Sequence, residues 1–182
     1  MDAFAFPVGA CLLGLLVAAA GTDLHTRRIP NVLVLTGLAV AFAVQWGLHG
    51  VGEGSQRWIL GLLTGGGLFF PLYLLRGMGA GDVKLMAAVG AFVGPGTAFE
   101  IALTACVIGG VWSLAVVVFR GNARAAGTNI LAILLSKGGQ CSRLSGKESG
   151  AVLPSVGSLP YGVAIALGTL SIMILRAGHS IV

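Results

Sequence analysis

The sequence predicts an all-α, polytopic membrane protein, and three observations carry that prediction. Hydrophobic residues make up 56% of the 182-residue chain and charged residues only 9%, where a soluble domain carries about 25%. Mean hydropathy is +0.96. The apolar residues also gather into six runs, each bounded by charge, glycine or proline, without the polar stripe that a water-facing helix needs. A chain so poor in charge cannot cover a water-exposed surface. The net charge of +5 would suggest nucleic acid in a soluble protein. Here the basic residues fall between the apolar runs, where they act as topology signals, so the expected partner is the lipid bilayer and not nucleic acid.

A helix crossing a hydrocarbon core of about 30 Å needs roughly 20 apolar residues. The first candidate is 4–21. Its Ala18-Ala19-Ala20 mimics a signal-peptide cleavage site, but Asp2 precedes the run and Arg27 and Arg28 follow it. That is the pattern of an uncleaved span with its N-terminus outside. The second and third candidates, 32–48 and 59–75, are joined by a loop flanked by Trp46 and Trp58, an expected interfacial aromatic pair. The fourth, 83–93, is short. From Asp82 to Val93 a helix rises only about 18 Å, so it either spans with Asp82 drawn below the bilayer border or re-enters. The fifth is 97–119 and the sixth 159–175. Arg27, Arg28, Arg76, Lys84, Arg120, Arg124, Lys137, Arg143 and Lys147 sit in the first, third and fifth connections, nine of the eleven basic residues. The positive-inside rule puts those connections in the cytoplasm and both termini outside. The expectation is one transmembrane domain over 1–182 with about six helices and a single long cytoplasmic connection at about 120–158. Within that connection, 129–135 reads as an interfacial helix and 138–157 as a Gly/Ser-rich linker.

Two acids stand apart from the rest. Asp23 ends the first run and Asp82 begins the fourth, inside Gly77-Met78-Gly79-Ala80-Gly81-Asp82-Val83-Lys84-Leu85. With the orientation above, both carboxylates lie at the cytoplasmic face although 59 positions separate them. Each has a plain structural reading: Asp82 as a helix N-cap, Asp23 as an interfacial polar residue. Taken together they point to function, because ionisable groups at membrane depth are expensive and rare. Gly79 and Gly81 can adopt positive φ and admit a second backbone, or simply form a flexible turn. Lys84 serves equally as a cation beside the acids or as a topology charge whose stem snorkels to the interface. A helix N-terminus favours negative charge, which makes Asp82 the candidate base and Asp23 the candidate acid. Cys11, Cys106 and Cys141 are isolated and read as packing residues. No HExxH or Ser/His/Asp set is present, and no metal site or cofactor is expected.

The constellation resembles the type IV prepilin peptidase family. Gly79-Ala80-Gly81-Asp82 with Val83-Lys84-Leu85 is similar to its GxGD signature. Asp23 with Thr26-Arg27-Arg28-Ile29-Pro30-Asn31 is similar to its first aspartate motif, and Leu159-Pro160-Tyr161-Gly162-Val163-Ala164-Ile165-Ala166 to the opening of its last helix. The small size and the last segment look most like the short peptidases of Flp-type (tight-adherence) pili. The resemblance implies an aspartic intramembrane protease of the bacterial cytoplasmic membrane. It would cleave the basic leader from a prepilin, bound through the prepilin's hydrophobic helix, with Asp23 and Asp82 as the catalytic pair. Gly79, Gly81 and Lys84 would support the site. Arg27, Arg28, Pro30, Asn31, Pro160, Tyr161 and Gly162 are candidates for the substrate cleft, each with a topology or helix-start role as the alternative. Longer members carry a CxxC-bearing insert and methylate the new N-terminus. This chain lacks the insert, so neither methyltransferase activity nor zinc is carried over. Two non-protease readings stay open on the residues alone: a small proton- or cation-coupled transporter using the paired acids, and an inactive pilus-assembly scaffold.

Overall fold

The computed structural model describes residues 4, 6–26, 29–75, 77–119 and 161–179. Contacts cluster into two units, residues 1–109 with 160–182, and 110–159. Among the described residues there are five helices and no strand: α1 (Val8–Thr26), α2 (Asn31–Leu74), α3 (Ala80–Val93), α4 (Pro95–Phe119) and α5 (Tyr161–His179). α1, α2, α4 and α5 are each long and apolar enough to cross a membrane. At 14 residues, α3 is not. The connection at about 120–158, with both segments expected in it, lies outside the described residues.

The loop expected between Trp46 and Trp58 is helical apart from one residue. α2 runs for 44 residues and breaks at Gly50, where φ 77 and ψ 173 lie outside the helical region. Glycine alone takes that conformation without steric cost. The two arms, 31–49 and 51–74, therefore fold back on one another. Gly54 meets the Gln45 backbone, where a Cβ would lie 2.5 Å from its carbonyl oxygen. Trp58 donates from Nε1 to the Leu38 carbonyl at 3.1 Å, and Trp46 donates to the Ser55 hydroxyl at 2.7 Å. The two tryptophans thus staple the arms together as well as marking the bend, with Phe42 between them at 4.4 and 5.4 Å.

α3 is the core of the larger unit. Leu85, Met86 and every residue from Ala88 to Val93 are buried. A helix enclosed on all sides needs partners with little bulk. On the second arm of α2, Gly61 faces Gly90 and Gly65 faces the Met86 carbonyl, each so closely that no Cβ would fit. Ala98 of α4 covers Gly90 on another side. α3 stops at Gly94, whose φ of 80 turns the chain into α4.

These turns order the unit end to end. Gly50, Gly94, Gly9 near Met173, and the Arg176–Glu100 ion pair at 2.8 Å lie toward one end. The C-terminus of α1, the start of α2, and the N-termini of α3 and α5 lie toward the other.

Candidate functional site

That second end gathers the two aspartates, since α1 runs toward it while α3 and α5 run away from it. Asp23 lies in the last turn of α1 and is 7% exposed. Its Oδ2 accepts the backbone N–H of Gly162 at 3.0 Å. That N–H is one of the free donors at the start of α5, so the carboxylate rests on the positive end of a helix. The approach requires glycine: a Cβ at residue 162 would sit 2.7 Å from the same oxygen.

Asp82 is the third residue of α3 and is 9% exposed. The expectation of an Asp82 N-cap is corrected: Gly79 occupies the cap with φ −79 and ψ 151. Asp82 reaches back instead, and its Oδ2 accepts the Gly79 N–H at 3.1 Å, the carboxylate half of a capping box. The positive φ expected at Gly79 and Gly81 is also absent. Among the described residues it occurs at Gly50 and Gly94. What the two glycines supply is room. A Cβ on Gly79 would lie 3.2 Å from Asp82 Oδ2, and one on Gly81 would lie 3.3 Å from Ile29 Cβ.

Both carboxyl groups are thus buried at the same end of the helices. Lys84 bonds elsewhere. It is exposed, and its Nζ donates to Asn31 Oδ1 at 2.9 Å. It ties α3 to the start of α2 and faces away from the acids, as a position two residues further along a helix must.

Pro30, with φ −63 and ψ 135, caps α2 and Asn31 begins it; both are exposed at the rim. Tyr161 opens α5, half-buried. Its ring edge lies against Gly109 of α4. The structure thus brings Asp23, Asp82, Gly79, Gly81, Tyr161 and Gly162 together. Lys84, Pro30 and Asn31 stand at the edge. Arg27, Arg28 and Pro160 lie outside the described residues. Ile29 and Gly109 are contacts the sequence reading missed, since an isoleucine beside a proline and a glycine within an apolar run carry no distinguishing signal.

Two buried carboxyl groups at one end of a bundle can serve as an acid/base pair. Among the described residues no three His, Cys, Asp or Glu side chains converge as a metal site would require. In comparison with known proteins, the family model described as the type IV leader peptidase family matches residues 10–114, more than half of the chain. No curated protein and no solved structure matches.

Proposed function

Because this chain belongs to the type IV leader peptidase family, we propose that it is an aspartic intramembrane endopeptidase that removes the basic leader of type IV, Flp-like prepilins. The single observation that carries the reading is that Asp23 and Asp82, 59 positions apart in sequence, lie buried at the same end of an apolar bundle. The topology we propose has six crossings: α1, the two arms of α2, α3 as a short element entered from the cytoplasmic side, α4 and α5. The acids then face the cytoplasm and both termini lie outside, in a bacterial cytoplasmic membrane.

The chemistry needs one carboxyl ionised and one protonated, a division that two carboxyls in one site adopt because like charges resist double ionisation. The ionised aspartate takes a proton from a water molecule as that water attacks the scissile carbonyl carbon, while the protonated one gives its proton to the carbonyl oxygen. The tetrahedral intermediate collapses when the C–N bond breaks: the first aspartate gives its proton to the leaving amine, and the second takes a proton back from one of the two hydroxyls, leaving the carboxylic acid product. Two carboxyls that share a site share protons in this way. The Gly162 and Gly79 N–H donors keep each carboxylate oriented. The hydrophobic helix of the prepilin packs laterally against the bundle, with its leader in the cytoplasm.

Co-expression with candidate prepilins tests the proposal. Wild type yields the shortened pilin. Asp23→Asn and Asp82→Asn each abolish the size shift, while both variants still insert in the membrane at wild-type levels. Processing by either variant, or ion-dependent flux without any processing, would overturn it.

A further inference from the structure

Gln45 stands alone as an amide in the apolar run 32–48, and neither the site nor the proposed mechanism uses it. Its side chain is buried, with 3% exposure, at the end of the bundle remote from the aspartates. Nε2 donates to the Phe92 carbonyl at 2.6 Å and approaches the Ala91 carbonyl at 3.4 Å. Those carbonyls belong to the last turn of α3, whose final acceptors have no partner within the helix. Among the described residues Oε1 has no hydrogen-bond partner, although it is buried. A buried amide oxygen left unpaired is costly, so this glutamine is held for what its NH2 group does.

What the NH2 group grips is the far end of the helix that carries Asp82. From Asp82 to Phe92 is ten residues, about 15 Å of helix. Between those points α3 meets the second arm of α2 through Gly61 against Gly90 and Gly65 against Met86. Such contacts fix how close the helices come and carry no hydrogen-bond direction. α3 is too short to be positioned by both membrane interfaces. Lys84 ties the start of α3 to Asn31 from an exposed position; Gln45 supplies the buried directional contact at the far end, and it does so from α2, an element separate from the helix it holds.

We propose that Gln45 is a positioning residue: by hydrogen bonding the C-terminal carbonyls of α3, it sets the axial register that presents Asp82 to Asp23. The catalytic half of this inference rests on the peptidase reading, and the structural half does not. Loss of the grip lets α3 slide and rotate, since one residue of slip is about 1.5 Å and 100°. A misplacement of about 1 Å costs about 10²-fold in rate.

The structure offers a reporter that needs no activity. A Cβ on Gly81 would lie 3.3 Å from Ile29 Cβ, close to the Cβ separation of a disulfide. In a background with Cys11, Cys106 and Cys141 replaced by alanine, the pair Ile29→Cys and Gly81→Cys reads the register of α3 by its rate of oxidative cross-linking. Gln45→Met, which keeps the length and loses the donor, is expected to slow cross-linking at least about five-fold. With native residues at 29 and 81, the same substitution should lower kcat on a prepilin by about 10- to 100-fold, with KM within about two-fold. Gln45→Asn keeps the donor one carbon short and should fall between. It is read in the same way if the methionine variant does not fold. Unchanged cross-linking overturns the proposal whatever happens to activity, and so does slowed cross-linking with unchanged kcat. If the wild-type chain cleaves no prepilin, the peptidase reading fails while the cross-linking still decides whether Gln45 holds α3 in place.

Discussion

Replacing Gly162 with alanine should damage cleavage while leaving the fold intact. The added methyl carbon would lie 2.7 Å from Asp23 Oδ2 and 3.2 Å from both Cβ and Cγ of Asp23. An ordinary contact begins near 3.4 Å, so the carboxylate has to retreat by about 0.7 Å. The nearest atoms all belong to one side chain, which can rotate, so the backbones of α1 and α5 need not part. The retreat also weakens the 3.0 Å bond from the Gly162 N–H, which orients the Asp23 carboxyl group. A displacement approaching 1 Å at a reacting group costs up to about 10²-fold. The expected loss is therefore about 10- to 100-fold in kcat, or about 1.4–2.7 kcal/mol of transition-state stabilisation. The assay is the initial rate of leader release from a purified prepilin by the enzyme in detergent, with KM and thermal midpoint measured alongside. A Gly162→Ala protein with kcat within two-fold of wild type would refute the reasoning. So would one whose activity loss is matched by a collapse in thermal midpoint, because then the methyl has pushed helices apart and not the carboxylate.

Two further outcomes follow from the same geometry. Lys84 is exposed and bonded to Asn31, so Lys84→Met should change kcat by less than about two-fold and stability by no more than about 0.5 kcal/mol. A ten-fold loss of cleavage would instead place the ammonium in the chemistry. Gly90→Ala sets a methyl against the Gly61 carbonyl, backbone on backbone, so neither helix can yield cheaply. A destabilisation of about 1–3 kcal/mol is expected, visible as a lowered thermal midpoint, and Gly67→Ala, which meets nothing within 4 Å, is the neutral control.

The sequence determined those properties that depend on local composition. Scarcity of charge dictates burial in lipid, and run length together with bounding charges located the helices to within a few residues. The expected run 83–93 is α3 from Ala80 to Val93, and 97–119 is α4 from Pro95 to Phe119. The two acids at run ends were legible for the same reason, since a carboxylate beside an apolar run is conspicuous against so few charges. Local composition misled where a single backbone conformation decided the outcome. The stretch 49–58 is polar enough to read as a loop, yet Gly50 alone makes the bend while its neighbours stay helical.

Only the tertiary structure decided what each acid touches. The donor to Asp23 comes from residue 162, 139 positions away, and no local pattern encodes a bond between the end of one helix and the start of another. The burial of Asp82 likewise depends on what encloses it. Burial is a sum over every packed neighbour, and that sum exists only once the helices have assembled.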